Sequence, residues 1–173
     1  MALWKGSTYK AKIREEPGWT KQTIKDFAQA GYNKIKDRFT GGAVLVAALW
    51  IHGDGCYIVS KPRGDAMVDF MFANRLTAPA WNSYNEERTD PDLEDRFHAE
   101  DGACFYVENR LPLSGKVPAG GNYEEISGGI RPFIAIYGKY RSSDKEGFKP
   151  PCGGGNADPP CTLEMSWLHI DYN

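Results

Sequence analysis

Residues 43–51, "AVLVAALWI", are apolar without interruption. A strand exposed on one face alternates polar and apolar residues, because successive side chains point to opposite faces. A run with no alternation belongs in a strand covered on both sides. The run is followed by "HGDG" at 52–55 and by a second apolar run, "CYIVS", at 56–60. Asp-Gly between two such runs is hairpin chemistry. The chain must therefore build a sheet around this hairpin and cover it with helices on both faces.

The flanking segments supply that cover. From 20 to 39, Ile24, Phe27, Ala28, Tyr32, Ile35 and Phe39 recur on one helical face, with Thr20 placed as N-cap and Gly41 just past the end. Within residues 1–19, Tyr9, Ala11 and Ile13 alternate with polar neighbours and predict a short strand or arm. Residues 65–76 suit a short helix, and 77–95 read as a polar loop carrying Trp81 and Tyr84. A helix is expected over 97–111, with Ala103, Cys104, Val107 and Leu111 on its apolar side. A third apolar strand follows at 131–140. After a Cys-bearing loop, Leu163, Trp167 and Ile170 suit a last helix opened by Pro159 and Pro160. This order predicts one domain over 1–173, an α/β three-layer α/β/α sandwich with a mixed sheet.

Composition narrows the function classes. Hydrophobic residues at 41% and charged residues at 25% are those of a globular chain, which excludes a disordered one. No apolar run approaches the roughly 18 residues of a membrane-spanning helix, and the first residues lack the apolar core of a secretory signal. The expected location is cytoplasmic or nuclear, or that of a longer or delivered protein of which this is one domain. A net charge of −2 gives no global attraction to phosphate, so any nucleic-acid binding must rest on a local basic and aromatic surface. A chain of 173 residues can bury a core without a metal, so a bound metal would serve chemistry. The four cysteines, Cys56, Cys104, Cys152 and Cys161, are expected to be reduced, as core residues or as ligands.

Two stretches carry the candidate chemistry: "FHAED" at 97–101, and "PPC" at 150–152 with Cys161 beyond it. A catalytic zinc takes three protein ligands and leaves one position for a water that it makes acidic. His98, Cys152 and Cys161 form such a set, each at or near the start of an expected helix, and helix N-termini favour thiolates. Glu100 stands about 200° around an ideal helix from His98. It is placed to reach a water beside the ion as general acid and base, and not to ligate the ion itself.

His-x-Glu followed by Pro-Cys and a second cysteine resembles the zinc site of the cytidine deaminase-like superfamily. The resemblance implies hydrolytic removal of an amino group from a nucleobase, with Zn2+ held by His98, Cys152 and Cys161 and Glu100 shuttling the proton. Eight residues, "GGGNADPP", separate the cysteines where the usual motif has two. That spacer is more similar to the toxin-type nucleic-acid deaminases, and its glycines and prolines let it loop out. Twelve residues follow Cys161, where the family normally continues with one or two strands. A shortened sheet is expected, or one in which "WLHIDY" supplies the missing strand.

The implied substrate is cytosine in single-stranded or locally opened DNA or RNA, with double-stranded DNA, adenine and free nucleosides as alternatives. Trp81, Tyr84, Arg96 and Phe97, with Arg88, are candidate stacking and phosphate contacts. The competing reading of Trp81 is that it pins the loop to the core. Cys56 and Cys104 are expected in the core, and Asp101 is expected to complement its helix N-terminus. His52 and His169 stay outside the site. Two further functional readings compete with catalysis. One is a deaminase-like nucleic-acid-binding module with a closed structural zinc, Cys104 or His169 being its fourth ligand. The other is a zinc-free fold with a Cys152–Cys161 disulfide.

Overall fold

The structure, a computed structural model, describes residues 1–85, 97–141, 144–152 and 161–172. Its sheet is built from β1 (Ala2–Lys5), β2 (Thr8–Arg14), β3 (Val44–Ile51), β4 (Gly55–Ser60), β5 (Phe133–Lys139), β6 (Gly147–Lys149) and β7 (Asp171–Tyr172). The helices described are α1 (Lys21–Ile35), α2 (Asp65–Ala73), α3 (Pro79–Asn85), α4 (Ala99–Arg110) and α5 (Cys161–Trp167). Neighbouring strands run β1-β2-β4-β3-β5-β6 and all pair antiparallel. β7 joins β5 in parallel through Phe133 and Ile134, at the opposite end of β5 from β6. The sheet is therefore mixed, and overwhelmingly antiparallel.

Every residue of β3 is buried. Val44, Val46, Ala48 and Trp50 meet Ile24, Ala28, Tyr32 and Ile35 of α1 on one face. Leu45, Ala47, Leu49 and Ile51 meet the other helices on the opposite face. Each Val, Leu or Ile removed from water contributes about 1.5–3 kcal/mol, so the two-sided strand anchors both layers. Thr20 caps α1 as its position predicts, exchanging hydrogen bonds with Thr23.

Elsewhere the expectations need correction. Residues 79–85, expected in a polar loop, form α3. Pro79 has the preset φ of a first helical residue, and Glu108 of α4 accepts the N–H groups of Ala80 (3.0 Å) and Trp81 (2.8 Å). The cap is provided by a residue more than twenty positions away, so no local pattern announces the helix. The N-terminal arm is two strands, β1 and β2, joined through Gly6 at φ +53°. The last segment forms both a helix and a strand, and "WLHIDY" does supply β7. Among the described residues no helix is long and apolar enough to cross a membrane.

Candidate metal centre

His98 occupies the N-cap of α4 with extended backbone (φ −93°, ψ 180°), so its side chain departs from the helix start and does not lie along its face. Two contacts hold it there. Asp101 accepts the His98 backbone N–H at 2.7 Å on one carboxylate oxygen and the Trp81 indole N–H at 3.2 Å on the other. Gly102 lets the first turn press onto β4, since a Cβ there would lie 2.9 Å from Val59. Asp101 thus complements the helix N-terminus, as expected, and is fully buried in doing so.

Cys152 follows β6, and Cys161 opens α5. The backbone N–H of Cys161 donates to Cys152 Sγ at 3.2 Å, and that of Thr162 donates to the Cys152 carbonyl at 3.1 Å. His98 Nδ1 lies 3.1 Å from Cys161 Sγ and 3.3 Å from Cys152 Sγ. The three ligand atoms all fall within 4.8 Å of one another. Around a tetrahedral zinc, with bonds of about 2.0 Å to nitrogen and 2.3 Å to sulfur, such N···S pairs stand about 3.5 Å apart. The donor set and its spacing fit that ion. All four cysteines are free thiols, so the disulfide alternative is not the arrangement adopted, and Cys56 and Cys104 sit in the core.

The electrostatics of the cluster follow from burial and mutual donation. The Cys152 thiol is pulled down to about 4, chiefly by hydrogen bonding with Cys161 and then by His98, against the cost of desolvation. Cys161 moves the opposite way, pushed well up by the same partner and by burial. The pair shares one negative charge, with His98 beside it. Glu100, 3% exposed, has its carboxyl pushed up to about 7 by desolvation, and the charge of His98 opposes the rise.

The remaining candidates are elsewhere. Trp81, Tyr84 and Phe97 are core residues, each at most 2% exposed; the Trp81 ring lies 5.4 Å from Phe97 and Tyr84 lies 5.5 Å from Trp167. All three pack in the core here, and for Trp81 that is the competing reading. Trp81 does pin this segment, at both its backbone and its indole. Arg88, Arg96 and the 153–160 spacer lie outside the described residues. His52 is half-buried against Trp50, and His169 Nδ1 meets Glu124 at 3.2 Å. Neither His169 nor Cys104 shares the three-donor group. One neighbour was not anticipated: Glu164, fully buried, comes together with Asp101 and Cys161. Its signal was available, since residues three apart share a helix face.

No protein-family model, curated protein or solved structure matches this chain. What its fold and site define directly is a class: a mixed α/β protein with a His/Cys/Cys group able to hold a metal ion at the start of two helices.

Proposed function

We propose that the protein is a zinc-dependent hydrolytic deaminase of a nucleobase, with cytosine in single-stranded or locally opened nucleic acid as its substrate. The observation that carries this reading is the convergence of His98, Cys152 and Cys161 beside the buried carboxyl of Glu100. Three donors among the described residues favour an open site over a closed structural one, which takes four.

The three donors would hold the ion. When bound, it supplies Lewis acidity that brings the pKa of a water to near 7. Glu100 takes a proton from the attacking water on its carboxylate and returns it to the ring nitrogen, N3 in cytosine. The second water proton leaves with the exocyclic amine as ammonia, and the ring carbon keeps the oxygen. Burial of Glu100 against Asp101 and the helix start keeps bulk water from competing for that proton.

The test uses protein purified without chelator, analysed for metal and incubated with single- and double-stranded DNA and RNA oligonucleotides. Sequencing should show C-to-U changes, with A-to-I changes marking the adenine alternative. Glu100→Ala should keep stoichiometric zinc and show no conversion. Turnover by that variant, or wild-type protein lacking stoichiometric zinc, overturns the reading.

A further inference from the structure

Strand β2 carries Lys10, Lys12 and Arg14 opposite Val59, Tyr57 and Gly55 of β4. Directly opposed residues project to one face of a sheet, so these cations lie on the same side as α4. Lys10 Nζ stands 4.3 Å from the Trp4 ring centroid and 4.6 Å from that of Tyr106, and the Arg110 guanidinium lies 5.9 Å from the same Tyr106 ring. Lys12 lies over Tyr57 at 4.8 Å and Lys5 over Phe70 at 5.1 Å. Among the described residues only Lys12 of these has a carboxylate partner, Asp54 at 2.6 Å. Among the described residues, Lys5, Lys10, Arg14 and Arg110 have none within ion-pairing distance.

A lysine on an outer strand discourages unwanted strand pairing, and one cation over an exposed ring shields it. Neither purpose needs two cations on one ring. Lys10 and Arg110 repel each other over Tyr106, a local conflict of the kind proteins keep where a site requires it. The strip also stands out against a chain of net charge −2. Successive same-face positions on β2 are about 6.8 Å apart, the scale on which phosphates follow one another along an extended single strand. Arg110 ends the helix whose first turn carries Glu100, about 15 Å away along its axis.

We infer that Lys5, Lys10, Lys12, Arg14 and Arg110 form a track for the phosphodiester backbone of a single-stranded nucleic acid. The occupant is chosen by charge complementarity together with the nucleobase reading of the metal site, on which this inference rests. The track supplies affinity and register without reading sequence, because phosphate contacts position and do not specify.

Fluorescence anisotropy with labelled single-stranded DNA and RNA oligonucleotides tests it. The probes are read across a salt series against wild type, Lys10→Gln/Arg110→Gln and Lys10→Glu/Arg110→Glu. A thermal melt of each variant shows that it is folded. The glutamine pair, which keeps side-chain bulk, should lower the slope of log affinity on log salt by about 1.4, the value for two lost contacts to a single strand. The glutamate pair should weaken binding at least tenfold.

Unchanged affinity and salt slope in the folded glutamine pair overturns the track, as does variant-sensitive binding of poly-glutamate or duplex DNA in place of single strands. Failure of the deaminase reading looks different: the variants lose oligonucleotide binding as described, but no base conversion occurs in any arm. Conversion of oligonucleotides with wild-type affinity in both double variants has the opposite meaning, sinking the track and leaving the site.

Discussion

At the level of single residues, the site depends on where three ligand atoms and two carboxylates are held. Cys152→Ser removes the thiolate that Cys161 and His98 stabilise. Purified protein should then carry well under one zinc per chain by metal analysis. Asp101 acts at one remove, since it holds the backbone of His98 and the indole of Trp81 with its two oxygens. In Asp101→Asn one of those donors faces an NH2 group. Such outer contacts tune metal affinity by about 10–100-fold, so zinc should pass more readily to a competing chelator in a titration. His98 and Glu100 were legible at this scale, because His-x-Glu is local. Asp101 as a neighbour of Cys161 and Glu164 was not, because the approach of α5 to α4 creates the contact.

Among the elements, the junction of α3 and α4 is the most informative. Glu108 is fully buried and accepts from Ala80 N–H, Trp81 N–H and the Tyr123 hydroxyl, the last at 2.7 Å. Desolvation raises its carboxyl to about 7 in spite of those bonds. An unfolded glutamate releases its proton near 4.3, so the native chain holds more protons between these values. Its contribution to stability is full below that window and falls as pH rises through it, by up to about 1.4 kcal/mol per pH unit. Glu108→Gln should remove this slope from urea denaturation measured between pH 5 and 7. It should also lower stability by about 1–3 kcal/mol, because its NH2 group faces a backbone donor. A second test concerns β5, where Gly138 has φ +147° and a Cβ would lie 2.0 Å from the Val44 carbonyl oxygen. Gly138→Ala should therefore cost about 3 kcal/mol or more in the same assay.

Across the whole molecule, the three residues able to hold a metal ion tie together elements that the chain reaches at very different points. His98 begins α4, Cys152 follows β6 and Cys161 opens α5. An ion bound only by the folded arrangement stabilises it by mass action, about 2.7 kcal/mol at a free concentration one hundred times Kd. Zinc should raise the melting temperature of metal-stripped wild type in a thermal scan and leave that of Cys152→Ser unmoved. A wild-type melt indifferent to zinc would count against the centre at any occupancy.

The uninterrupted run at 43–51 determined by itself that a strand is covered on both faces, and Asp-Gly determined its hairpin. Period and turn chemistry are local properties, which neighbouring residues express wherever they are placed. The residue types of the His/Cys/Cys group were likewise readable. Their meeting was not: His98 Nδ1 and Cys152 Sγ, 54 residues apart, come within 3.3 Å only because the end of β6 and the start of α4 are brought together. The same long-range packing took Trp81 and Tyr84 into the core, capped α3 from α4 and gathered Lys10 and Arg110 on one tyrosine ring. Those outcomes depend on which surfaces the folded chain brings together, and tertiary structure alone decides that.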